Sequence, residues 1–181
     1  MIAKGHDFPN VTLVGVVSVD AGLAMPDFRA AERTFQLLTQ VAGRAGRGEQ
    51  PGQAIIQTLY PGHYSIQLAC AQDYRAFYDE EVAFRRAMRY PPQVAMVNVV
   101  VRGKTFGDAM EGARGLVAAI PAGRGFVVLG PAPAPIPRLR GEHRAQFFLK
   151  GTSRAAMREA LQAALARKSE LARRASVDVD P

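Results

Sequence analysis

Val94-Ala95-Met96-Val97-Asn98-Val99-Val100-Val101-Arg102, followed at once by Thr105-Phe106-Gly107-Asp108, sets a strand against the start of a helix. Thr105 and Asp108 stand three apart, close to a capping box, and Phe106, Ala109, Met110, Ala113, Leu116 and Ile120 then share one side of a helix over 105–120. Further on, the pattern reads as strands at 126–129 and 145–150, a helix over 153–168 and a closing strand at 175–179. In the second helix Met157, Ala160, Leu161, Ala164 and Leu165 fall on one side. The order βαββαβ is the split-βαβ, ferredoxin-like plan, with two helices on one face of a four-stranded sheet. About 90 residues close a small core of their own. The plan by itself assigns no function.

Between the halves of this unit runs Gly130-Pro131-Ala132-Pro133-Ala134-Pro135-Ile136-Pro137-Arg138-Leu139-Arg140-Gly141-Glu142-His143-Arg144. Alternating prolines predict an extended connector that presents Arg138, Arg140 and Arg144, joined by Lys150 at the end of the next strand. Such a set is a candidate phosphate clamp. It reads equally as a stiff linker with solvated arginines. Charge is uneven in the same direction: the chain carries a net +7, and the whole excess falls on residues 92–181. Nucleic acid or an acidic partner suits that balance, and so does a basic surface that only maintains solubility.

Toward the N-terminus, Pro91-Pro92 ends a helical stretch over 73–88 with Asp73 as N-cap and Phe77, Glu81 or Val82, Phe84 and Met88 on a mixed face. Its aromatic residues, Tyr74, Phe77, Tyr78 and Phe84, suit either packing between domains or stacking on bases. Earlier still, Thr12-Leu13-Val14-Gly15-Val16-Val17-Ser18-Val19-Asp20 reads as a strand buried on both faces, and hence as part of a parallel α/β sheet. After Pro26-Asp27, the residues Phe28, Ala31, Phe35, Leu38 and Ala42 recur at helical spacing and deliver Gln40, Arg44 and Arg47 at the far end. Guanidinium groups never deprotonate and take two phosphate oxygens at once, so Gly43-Arg44-Ala45-Gly46-Arg47 is a candidate for meeting a triphosphate. The alternative is a glycine-rich turn closing a helix, its arginines set against the helix dipole.

At these residues a resemblance enters. AKGHDFPNVTLV at 3–14 resembles motif V, and QVAGRAGRG at 40–48 resembles motif VI, of superfamily 2 helicases. With the intervening PDFRAAERTFQLLTQ, then PGQAIIQT, RRAMRYPP, GPAPAPIPRLRG and SVDVDP, the chain is similar over essentially its whole length to the bacterial primosomal replication-restart DNA helicases. The resemblance implies that residues 1–62 are the C-terminal part of a second RecA-like lobe, 63–91 are connecting helices and 92–181 are a C-terminal domain. It implies nucleotide contacts at Gly5, Asp7, Gln40, Gly43, Arg44 and Arg47, with Arg44 and Arg47 as catalytic arginines facing the γ-phosphate. Lys4 and His6 then lie where the family couples that cleft to DNA. ATP with Mg2+, and zinc, are the family's cofactors. Its partners are branched or forked DNA, the acidic tail of the single-stranded DNA-binding protein and other primosome proteins.

Residues that such an enzyme needs are missing from this sequence. No G-x-x-x-x-G-K-[ST] and no Walker B carboxylate motif occur, so this chain alone is expected not to hydrolyse ATP. Its single cysteine, Cys70, cannot make a structural zinc site and is expected to pack on a helix. Met1 falls where the family's motif V has already begun, and its usual leading Thr-Gln is missing, which predicts a C-terminal fragment. The lack of a signal peptide or membrane-length apolar run leads us to expect a cytoplasmic, nucleoid-associated protein without membrane contact. The reading is thus part of an ATP-dependent 3′–5′ helicase that restarts stalled replication. The alternatives are a non-catalytic module binding DNA or the acidic tail, and a small-molecule-binding ferredoxin-like domain.

Overall fold

The structure is a computed structural model that describes residues 11–45, 51–123 and 125–180. The chain divides into two units, Met1–Arg85 and Arg86–Pro181.

In the first unit, β1 (Leu13–Val16) pairs in parallel with β2 (Gln53–Ile56), as the β-branched run and α/β reading lead one to expect. The strand is shorter than the run, and its residues alternate between exposed and half-buried instead of being buried on both faces. A two-stranded sheet covered on one side explains this: Val16 and Ile56 pack into the core while Leu13 and Ile55 point outward. The segment after Val16 leaves the sheet and enters a short helix, α1 (Asp20–Leu23). The Asp20 carboxylate accepts from the Thr58 hydroxyl and the Leu59 amide, fastening this turn to the end of β2.

Helix α2 (Ala30–Ala42) buries Thr34, Phe35 and Leu38 against α3 (Tyr64–Cys70) and α4 (Tyr74–Ala87). Phe35 stacks on Phe77 at 4.0 Å between centroids, and Tyr64 lies 5.9 Å from the same ring. Beside this stack Glu81, only 5% exposed, accepts from the Tyr64 hydroxyl and the Arg85 Nε, both at 2.7 Å. The other end of the Arg85 guanidinium reaches Glu32 on α2 at 2.7 Å, so a paired and hydrogen-bonded charge network ties three helices together. Asp73 caps α4 as expected, through a bond from the Ala76 amide. Phe84 and Met88, however, are exposed, because Phe77 and Glu81 already take the buried side one turn earlier. Cys70 ends α3 and is exposed, not packed, since Ile66 and Ala69 occupy the inward face.

The second unit is a four-stranded antiparallel sheet with helices on one face. Its elements are β3 (Ala95–Gly103), α5 (Phe106–Ala119), β4 (Phe126–Leu139), β5 (Glu142–Gly151), α6 (Arg154–Arg167), a short α7 (Ser169–Ala172) and β6 (Ala175–Val179). The spatial order β4-β5-β3-β6 places the first and third strands of the unit in the centre, which is the arrangement that βαββαβ order demands. Val99, Val101, Ala145, Phe147 and Leu149 alternate into a core completed by Ala109, Ala113 and Leu116 of α5 and Met157 and Leu161 of α6. The Thr105 hydroxyl caps α5 by accepting from the Asp108 amide. Phe106 does not join the expected face but is exposed in the first turn, ahead of the helix's contact with the sheet.

The proline-rich stretch corrects the expectation of a connector. Residues 130–139 continue β4, which turns at Arg140-Gly141 straight into β5, so the segment is one arm of a long hairpin. Prolines are tolerated here because β4 is an edge strand, where a missing N–H costs no ladder bond, and because the register shifts between Leu129 and Ala132 and between Pro133 and Arg138. Pro131, Pro133, Pro135 and Pro137 also remove edge donors that another strand would pair with.

Candidate nucleic-acid interface

The hairpin collects basic residues at one end of the sheet. Arg138 on β4 lies in register with His143 on β5, Arg140 sits at the turn with φ 52°, and Arg144 on β5 lies opposite Arg102 on β3. Arg138 and Arg140 are exposed and Arg144 half-buried. No acidic group pairs with Arg138, Arg140 or Arg144 among the described residues, while Arg102 has Glu142 at 3.5 Å. These side chains are held by strand register, so a cationic surface is presented on a rigid element and not on a tail.

Lys150 is placed differently from the three arginines it was grouped with. It stands at the other end of β5, its ammonium donating to the Met88 carbonyl at 2.9 Å and lying 4.2 Å from the centre of the Tyr90 ring. Burial, with Arg89 nearby, lowers its pKa. The hairpin therefore brings Arg138, Arg140 and Arg144 together without Lys150. It adds Arg102, which sequence reasoning passed over as the end of a strand because only the register reveals its neighbour.

A second feature lies between α6 and β6. A groove of about 560 Å3 is floored by Val97, Met157, Leu161 and Leu165 and walled by Val177 and Val179 on the edge strand. Arg154 and Arg158 line it, and Arg154 is bound to Asp180 at 3.0 Å. An apolar trough bordered by guanidinium groups suits an extended segment that carries both apolar and acidic side chains.

In the first unit, Gln40 is exposed in the last turn of α2, and Gly43 is its C-cap, with its amide bonded to the Thr39 carbonyl at 3.0 Å. Arg44 follows directly, its amide bonded to the Val41 carbonyl. Gln40, Gly43 and Arg44 thus stand at or just past the C-terminal end of α2. Lys4, Gly5, His6, Asp7 and Arg47 lie outside the described residues. Among the described residues no three His, Cys, Asp or Glu side chains gather to hold a metal ion, so neither Mg2+ nor zinc is assigned ligands. No helix among the described residues is long and apolar enough to cross a membrane.

Residues 86–181, the unit that carries both the basic hairpin and the groove, match the family described as the primosomal protein N C-terminal domain. The chain belongs to that family. It is 51% identical over 152 residues to the replication restart protein PriA of Bacillus subtilis, covering 83% of this chain and 19% of the relative. The protein of the same name from Treponema pallidum is 44% identical over 157 residues, or 84% of this chain and 24% of the relative. That of Haemophilus influenzae is 39% identical over 188 aligned residues, 100% of this chain and 25% of the relative. The chain therefore spans a quarter or less of the length of these relatives.

Proposed function

We propose that this chain forms part of an ATP-dependent 3′–5′ DNA helicase of replication restart, and that its second unit holds branched or forked DNA. The observation that carries this reading is the coincidence of the primosomal family match over 86–181 with a register-locked basic hairpin in the same residues. The relatives' name, replication restart protein, agrees with it. Phosphate contacts by arginine supply affinity without reading sequence, which is what recognition of a fork by its shape requires. Replacing Arg138, Arg140 and Arg144 together by Ala is expected to weaken fork binding at least about tenfold and to reduce the slope of log affinity on log salt by about 2 to 3. An unchanged slope would remove the hairpin from the interface.

Residues 1–62 in this reading are the C-terminal part of a second RecA-like lobe, and the parallel pairing of β1 with β2 supports it. ATP bound chiefly by the other lobe supplies the phosphoryl transfer that drives stepping. Gln40, Gly43 and Arg44 at the end of α2 meet its phosphates, and Arg47, Gly5 and Asp7 are further nucleotide contacts in this reading. In the full-length protein Arg44→Ala is expected to lower DNA-stimulated turnover by about 10³ or more, the loss typical of an arginine finger. A rate within twofold of the parent's would sink that role.

The groove beside α6 is the place we assign to the acidic tail of the single-stranded DNA-binding protein. Its apolar floor and the exposed Arg158 support this choice. A labelled acidic peptide with an apolar end should bind and be lost on Arg158→Glu. Binding that survives the reversal of charge argues for another surface.

A further inference from the structure

Arg102 and Arg144 stand directly opposite each other on neighbouring central strands. Both lie on the sheet face that the helices leave uncovered, since the alternating residues Val101, Gly103 and Ala145 are the ones buried on the helix side. Like charges at opposed positions of a sheet are destabilising, and nothing in the core requires arginine at either. The pair is only partly compensated. Arg102 reaches Glu142 at 3.5 Å and the Arg173 carbonyl at 3.4 Å, and its Nε is buried without a partner. Arg144 has no partner among the described residues. Two arginines at opposed strand positions, of which only Arg102 is paired and with a distant carboxylate, leave donors for a further anion.

We propose that Arg102 and Arg144 clasp a backbone phosphate of the bound DNA, and that Glu142 is a built-in competitor that gives up Arg102 when the phosphate enters. Phosphate oxygens can take paired donors from two arginines on opposed strand positions, which a single carboxylate at 3.5 Å does not match. Glu142 shares the uncovered face with Arg144, two residues away along β5, and sits beside the hairpin turn, where it holds Arg102 in the absence of ligand. Local rules broken without a packing gain are characteristic of binding sites. This inference rests on the reading of the second unit as a DNA-binding module and adds to it a residue and a regulating carboxylate.

The test is a mutant cycle on the 181-residue chain, read by anisotropy of a fluorescein-labelled forked oligonucleotide across a salt series. Arg102→Gln is expected to weaken binding about tenfold and to reduce the salt slope by about 0.9, the value for one duplex phosphate contact. Glu142→Gln is expected to tighten binding about threefold, and Arg102→Lys to recover only part of the affinity because the fork is lost. The double variant, Arg102→Gln with Glu142→Gln, decides between the clasp and a general change of charge. On the clasp account, removing Glu142 gains nothing once Arg102 is gone. If Glu142→Gln still tightens binding threefold in that background, charge alone is at work and the clasp is overturned. If Arg102→Gln keeps parental affinity and slope while the hairpin variants lose both, the clasp falls and the DNA reading stands. If the parent chain does not bind the fork at low salt, both fall. Thermal midpoints of each variant show whether loss of binding reflects loss of fold.

Discussion

His63 joins structure to solution behaviour through one nitrogen. It caps α3, and its Nδ1 accepts the Ser65 amide at 3.2 Å and lies 2.8 Å from the Ser65 hydroxyl, which is fully buried. A protonated imidazole has no lone pair to offer there. Burial accordingly lowers the His63 pKa, with Glu81 opposing the shift only in part. A group whose folded pKa lies below its unfolded value binds fewer protons when folded, so its contribution to stability is present above about pH 6.5 and is lost as pH falls. The thermal midpoint of the chain is therefore expected to drop between about pH 7 and about pH 5, and His63→Asn, which keeps the cap without titrating, should flatten that drop. A variant with the parent's full pH dependence would place the titrating group elsewhere.

Among the elements, β4 and β5 form the hairpin on which the proposed interface lies. Where β5 ends, Gly151 meets the start of β4: a Cβ there would overlap the Gly125 carbonyl oxygen and lie 2.5 Å from Phe126 Cα. Backbone on both sides cannot give way as a flexible side chain would. Gly151→Ala is expected to cost about 2 kcal/mol, read as a lower urea midpoint with unchanged m-value. An unchanged midpoint would mean that the strands separate freely at this point. The same pair shows what sequence reveals and what it hides. The cores of α5 and α6 were legible because apolar residues at helical spacing have one dry solution, and Thr105 with Asp108 marks a helix start in any context. The length of β4 was not legible, because four prolines argue against a strand unless it is known to lie at an edge, and edge position depends on pairings remote in the chain. Nor was the exposure of Cys70 and Phe84 or the half-open β1, since a local pattern cannot say which neighbours are there to cover a face.

At the scale of the whole molecule, charge and topology converge on one end of the second unit. The excess of basic residues beyond position 91 was visible in the sequence, as were Arg138, Arg140 and Arg144. Their union with Arg102, and the separation of Lys150 from them, come only from the register of β3 with β5. The aromatic stack around Phe77 and the Glu81–Arg85–Glu32 network bind α2, α3 and α4 into one body, so the helix that carries Gln40 and leads into Arg44 is anchored. Placement of these groups on rigid elements is what the proposed phosphate contacts would require. The most direct measurement is the affinity of the 181-residue chain for a model replication fork against a linear duplex of equal length, followed by anisotropy across salt. The account predicts tighter binding to the fork and a steep loss of affinity with salt for both DNAs. Equal affinity for fork and duplex, or no binding at low salt, would contradict it.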